Sequence, residues 1–203
     1  MGLSSVAMGV PLGWIPTPLL LFVAVLAFFH TSEAFLVLVL DPLSYGRQSW
    51  LFSRPYGMAM ALALVEYLVE YVTVGPLWKG WSAATVVGLG MVVAGETVRK
   101  AGILTARRAF THAISTRRRE GHRLVDTGIY GQVRHPGYLG WLVWSIGTQV
   151  LLANPACTLI FAVWSWRFFR DRIVYEERIL VSFFGKHYRE YAAKVPTYIP
   201  FIP

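Results

Sequence analysis

Cysteine occurs once in these 203 residues, at Cys157. An internal disulfide and a Cys-x-x-Cys metal site are both excluded by that count. Charge is scarce as well: Asp, Glu, Lys and Arg make up 15% of the chain, against roughly 25% in soluble domains. Lys and Arg are absent before Arg47, so the apolar stretch near the N-terminus lacks the basic flank of a signal peptide. No G-x-S-x-G elbow occurs, and Ser145 falls inside an apolar run, which argues against serine hydrolysis. No tandem repeat, low-complexity tract or flexible linker interrupts the chain, and we expect one integral domain over residues 1–203.

What fills the chain is apolar. Hydrophobic residues make up 55% and aromatics 15%, with a mean hydropathy of +0.49. The run "TPLLLFVAVLAFFHTSEAFLVLVL" is long enough for a hydrocarbon core of roughly 30 Å, with Glu33 its only formal charge. We expect an all-α, polytopic integral membrane protein with about five transmembrane helices, near 17–40, 55–74, 81–104, 138–152 and 155–169. The last two runs are short, and the Asn154–Pro155 step between them predicts a tight helical hairpin. Gly88, Gly90 and Gly95 form a loose G-x-G-x4-G inside the third run. With no strand before them, they fit close helix packing better than a dinucleotide loop. Beyond 169 the chain is amphipathic and predicts a helix, a break at Gly185, a short second helix and a proline-rich end.

Between 105 and 137 the chain turns polar and basic. The net charge of +8 reads as topology and contact with lipid head groups, not as nucleic-acid binding. Placing the 105–137 loop in the cytosol leaves Lys79 as the only Lys or Arg outside, of 19. This predicts a lumenal N-terminus and a cytosolic C-terminus. Ionisable groups within the apolar runs have simple partners: His30 with Glu33 at i,i+3, and Glu96 with Arg99 and Lys100. Glu66 and Glu70 share one face of the second run. His112, His122, His135 and His187 show no metal-ligand spacing, and no metal is expected.

Two constellations remain. In "HRLVDTGIYGQVRHPGY" the glycines permit unusual backbone angles, and Pro136 opens a helix whose free N–H groups suit an anionic or polar ligand. A structured loop at the membrane surface accounts for the same residues equally well. In "RDRIVYEERIL", Arg172 and Glu176 are i,i+4, and a plain intrahelical salt bridge is the simpler reading of that spacing.

These stretches, with "FFHTSEAFLVL", "HRLVDTGIYGQVRHPGYLGWLVWSIGTQV", "WRFFRDRIVYEERIL", "FFGKHYREY" and "VPTYIPFI", resemble the isoprenylcysteine carboxyl methyltransferases, close to the plant type. "RHPxYxG" followed by paired glutamates is shared with other membrane methyltransferases and with sterol reductases. "GTQ", "RDRxxxEE" and "VPxxIPF" are more specific. The resemblance implies methyl transfer from S-adenosylmethionine to the C-terminal carboxylate of a prenylated cysteine, in proteins processed at a C-a-a-X end. It implies an endoplasmic reticulum location, with a cytosolic cofactor pocket formed by a loop and a C-terminal amphipathic helix. By matching position it assigns His122, Arg123, Leu124, Val125, Tyr130, His135, Pro136, Gly137, Tyr138 and Glu176 to the cofactor, and Arg172 to the substrate carboxylate. In one departure, Ser115 stands where many relatives carry a cofactor-contacting glutamine, and its side chain is too short for the same reach.

The chemistry agrees with these residues. A carboxylate acceptor is already ionised at neutral pH and needs no general base, only an in-line approach. A guanidinium suits it as a bidentate clamp. A phospholipid N-methyltransferase is the alternative enzyme, a sterol reductase a more distant one, and a lipid-binding scaffold the non-catalytic reading.

Overall fold

The computed structural model describes residues 15–116 and 123–202; His122 lies outside them. Among the described residues the chain is all-helical and contains no strand. Its helices are α1 (Thr17–Leu40), α2 (Arg54–Thr73), α3 (Ala83–Ala106), α4 (Pro136–Leu151), α5 (Pro155–Phe184) and α6 (Lys186–Ala192), with short 3₁₀ turns in the connections. Proline opens α1, α2, α4 and α5, where its missing N–H removes no helical bond. Ser53 and Ser82 cap α2 and α3, each accepting a first-turn N–H at 3.3 Å.

Each apolar run of the sequence thus becomes a helix. Among the described residues, α1 alone is long and apolar enough by itself to cross a membrane. At 1.5 Å per residue, the 16 residues of α4 reach about 24 Å and the 30 of α5 about 45 Å. α5 therefore carries 172–176 well past the apolar stretch that begins it. Val65, Leu68 and Val72 on α2, with Leu159 and Val163 on α5, are exposed, an apolar exterior suited to lipid.

α3 and α4 form the tightest contact. A Cβ on Gly95 would lie 2.6 Å from the Gly140 carbonyl, and one on Gly140 would lie 2.5 Å from the Gly95 carbonyl. At Gly88 a Cβ would come 2.1 Å from the Leu151 nitrogen. Gly88 and Gly95 therefore act as the small residues that let two backbones meet.

Polar groups close both ends of the bundle. At one end buried Lys79 donates to the Leu152 and Ala153 carbonyls and to Asn154 Oδ1, at 2.8–3.1 Å, and pairs with Glu70 at 2.6 Å. Glu66 accepts the N–H groups of Ala156 and Cys157, both at 2.7 Å, capping α5 from α2. The Asn154–Pro155 hairpin is held by these groups. At the other end, the expected pairing of His30 with Glu33 does not form. The His30 ring turns instead to the Trp50 carbonyl and the Tyr56 hydroxyl. Glu33 takes stronger donors from α3, among them Arg99, which leaves Glu96 with Lys100 at 3.3 Å among the described residues. A cation reaching a fully buried carboxylate outweighs a helix-face neighbour.

The C-terminal segment folds back onto α4 and α5. Ile199 and Ile202 join Leu142, Phe169 and Ile173 in one buried cluster. Arg134 fastens the turn: Nη1 donates to the Ala192 and Val195 carbonyls, and Nε pairs with Glu177 at 2.7 Å. His135 Nε2 meets the same carboxylate at 3.1 Å. Burial alone would raise the Glu177 carboxyl, but His135 and Arg134 outweigh it and hold it below its ordinary value of 4.5.

Two outcomes follow. Gly140→Ala should destabilise the protein by about 1–3 kcal/mol, the usual cost of overpacking, seen as a lower thermal midpoint in detergent; an unchanged midpoint would mean that the α3–α4 contact is not tight. Because Glu177 is lowered, its stabilisation is complete above its ordinary value and is lost as acid reaches the lowered one. Glu177→Gln should accordingly lower the midpoint at pH 7, and the gap to the parent protein should close in strong acid. A gap that persisted there would assign the effect to packing.

Candidate active site

A cavity of about 470 Å³ opens where α3 ends, α4 begins and α5 leaves the apolar region. Its floor is the start of α4. His135 precedes Pro136, and its carbonyl accepts from the Tyr138 and Leu139 N–H groups. Gly137 leaves room for Phe110, which a Cβ would approach to 3.2 Å, and its carbonyl accepts from Arg99 Nη1 at 2.9 Å.

The side wall is the 3₁₀ turn Gly128–Gly131. Gly128 has φ +58, and a Cβ there would come 3.0 Å from Thr105. That pair of demands leaves glycine as the fitting residue. Tyr130 follows, and its carbonyl accepts from the Tyr191 hydroxyl at 2.7 Å. Burial pushes the Tyr130 phenol above its usual range, with the Glu176 charge adding to the effect. Burial likewise raises Tyr191, to about 12. Both phenols are therefore neutral at physiological pH.

α5 supplies Arg172 and Glu176. The Arg172 guanidinium donates from Nε to the Tyr138 hydroxyl at 2.8 Å and from Nη2 to the His112 carbonyl at 2.5 Å. The Tyr138 hydroxyl donates in turn to Glu176 Oε2 at 2.5 Å. The i,i+4 spacing of Arg172 and Glu176 therefore does not close as a direct ion pair; the α4 tyrosine stands between them. Such a chain fixes a cation and an anion side by side without letting them neutralise each other. Among the described residues lining the cavity, Glu176 is the one carboxylate, beside Arg99, Arg123, Arg134 and Arg172.

Arg123, Leu124, Val125, Tyr130, His135, Pro136, Gly137, Tyr138, Arg172 and Glu176, separated by up to 53 residues in sequence, all line this one cavity. Ser115 does not; it lines a neighbouring space of about 290 Å³. His135 stacks on Tyr138 at 5.5 Å and is tied to Glu177, so it shapes the wall. Sequence reasoning missed Arg99, His112, Trp141, Tyr188 and Tyr191, which line the cavity as well. The available signals were Arg99 and Glu33, charges in otherwise apolar runs. A local i,i+3 or i,i+4 partner accounted for each and concealed the contact across helices.

The arrangement can hold one anionic and one cationic group within an aromatic enclosure. Its volume fits a ligand-sized molecule, the usual range being about 300–1,000 Å³. The chain's relatives agree with this chemistry. A model of the isoprenylcysteine carboxyl methyltransferase (ICMT) family matches residues 87–182. Protein-S-isoprenylcysteine O-methyltransferase B of Arabidopsis thaliana is 46% identical over 183 residues, 90% of this chain and 92% of its own. The Homo sapiens protein-S-isoprenylcysteine O-methyltransferase is 43% identical over 87% of this chain and 63% of its own. Among solved structures, the eukaryotic intramembrane Ras methyltransferase ICMT superposes with a TM-score of 0.88 at 37% identity, over 91% of this chain and 67% of that one. With such identity across nine-tenths of its length and this shared fold, the chain belongs to the isoprenylcysteine carboxyl methyltransferase family.

Proposed function

We propose that this chain is a membrane methyltransferase that esterifies the C-terminal carboxylate of prenylated cysteine, with S-adenosylmethionine as donor. Family membership carries the reaction class. The observation that carries the assignment of sides is the Arg172–Tyr138–Glu176 chain on the cavity wall.

The donor side is the wall of Arg123, Leu124, Val125, Tyr130, His135, Pro136, Gly137, Tyr138 and Glu176, with His122 adjoining it in sequence. The residues fit the group: Glu176 suits an ammonium, Arg123 a carboxylate, and the phenol faces an aromatic base. S-adenosylmethionine supplies an electrophilic methyl on a sulfonium. Arg172 receives the acceptor carboxylate and aims one of its oxygens; Tyr138 keeps the guanidinium from collapsing onto Glu176. Trp141 and Phe168 exclude water from the contact and so strengthen the electrostatics within it. No proton has to move, because the attacking oxygen is already anionic.

Lipid and water must both reach this site, which we read as lying at the cytosolic face of the endoplasmic reticulum membrane. In this reading α1 to α5 cross the bilayer over 17–40, 55–74, 81–104, 138–152 and 155–169, from a lumenal N-terminus to a cytosolic C-terminus, and residues 105–203 form the catalytic region of a single domain. Prenylated protein C-termini are the partners, with membrane lipid around them. The charge bias of the loops supports this orientation. An amine acceptor, as in phospholipid N-methylation, would gain nothing from Arg172.

Reconstituted protein incubated with labelled S-adenosylmethionine and N-acetyl-S-farnesylcysteine should form a base-labile methyl ester; absence of that product would refute the proposal. Saturating S-adenosylmethionine, at a hundredfold excess over its Kd, should stabilise the protein by about 2.7 kcal/mol. Arg172→Ala should lower kcat/KM for the acceptor by roughly a hundredfold, the cost of a lost charged clamp, and leave that stabilisation in place. Retention of most activity would remove Arg172 from the acceptor site.

A further inference from the structure

Glu33 lies on α1, is fully buried and does not line the cavity. Its carboxylate nevertheless reaches the site through two of its partners. It accepts from Arg99 Nε at 2.9 Å and Nη2 at 2.7 Å, and from Lys100 Nζ at 2.5 Å. The His112 Nε2 atom completes the shell at 2.7 Å.

Arg99 continues from there to the Gly137 carbonyl on the donor side. His112 continues to the acceptor side, since its main-chain carbonyl accepts from Arg172 Nη2. The Arg172 guanidinium is thus oriented by two oxygens, the Tyr138 phenol on α4 and a carbonyl in the irregular segment 110–116. A carbonyl in an irregular loop is a poor reference point unless something fixes the loop. Here the ring of the same residue is pinned to a buried carboxylate, which ties that stretch of loop to α1.

We propose that Glu33 and His112 form a positioning pair for the acceptor side of methyl transfer: Glu33 fixes the His112 ring, and the His112 carbonyl thereby sets the angle of the Arg172 guanidinium. This rests on Arg172 receiving the acceptor carboxylate. Neither residue touches the reacting atoms. Their contribution is geometric: a guanidinium already held at its angle binds the carboxylate without the cost of ordering it.

Glu33→Gln leaves the buried Arg99 without its carboxylate and Lys100 with Glu96 alone, which threatens folding, so the test falls on His112. His112→Ala frees the loop while leaving the Glu33–Arg99–Lys100 cluster intact. It should raise KM for N-acetyl-S-farnesylcysteine by up to about tenfold, the cost of ordering one side chain on binding, with a smaller change in kcat. Stabilisation by S-adenosylmethionine should not change. His112→Gln, whose amide N–H can still meet Glu33, should recover acceptor KM to near the parent value. In an Arg172→Ala background, with residual turnover followed by labelled donor, His112→Ala should cause no further loss, because it acts through Arg172.

Additive losses in that cycle would overturn the proposal, as would donor and acceptor affinities falling together. An unchanged acceptor KM in His112→Ala, with Arg172→Ala still crippled, would remove the positioning role and leave the Arg172 assignment standing. If Arg172→Ala itself left acceptor use intact, both would fall.

Discussion

The buried carboxylate of Glu33 sets the constraint on which the functional end of this bundle depends. A lone charge at that depth would cost several kcal/mol, so the fold must bring donors to it. Arg99 and Lys100 come from α3 and His112 from the segment after it. Satisfying one residue on α1 therefore fixes α3 against α1 and draws the 110–116 segment over the cavity. Arg99 also lies 5.0 Å from the Trp141 ring and 5.6 Å from the Phe29 ring, so the ion cluster is walled by aromatics. The apolar faces of helices in lipid give little directional preference among packings. Polar pairing supplies the direction.

The opposite end obeys the same rule with different groups. Lys79 gathers the carbonyls that α4 leaves open, and Glu66 takes the N–H groups that α5 leaves open. Helix termini carry unsatisfied backbone groups wherever they stop, and a tight hairpin at the edge of an apolar layer has little water to satisfy them. Charged side chains from α2 and from the α2–α3 connection do so instead. Between these two polar ends, Gly95 and Gly140 let α3 and α4 touch backbone to backbone. Each end then holds its own helices, and the cavity end is free to carry chemistry.

Much of this was legible in sequence because it is local. The five long helices follow from apolar runs punctuated by proline and glycine, and the Gly185 break appears at φ +57. The cavity wall of 123–138 was legible through the dense cluster of glycine, His, Pro and Tyr. The failures share one cause. His30, Arg99, Arg172 and Glu176 each had a helix-spaced partner and each meets a group on another element instead, whereas Glu96 keeps Lys100 at i,i+4. Helix spacing offers a few tenths of a kcal/mol, whereas a buried charge needs several. Cross-element partners therefore win, and spacing does not reveal them. Arg134 was missed for a related reason: its role is to receive the carbonyls of a tail about sixty residues later.

By itself the sequence determined the helices, their order, the basic segment, and the family to which the chain belongs, since these rest on composition, periodicity and contiguous motifs. Only the tertiary structure decided that Tyr138 stands between Arg172 and Glu176, that Glu33 rather than Glu96 takes Arg99, and that the His112 carbonyl accepts from Arg172. Those outcomes depend on which buried charges and open backbone groups meet once the helices pack. That competition is settled by desolvation and geometry in three dimensions, not by distance along the chain.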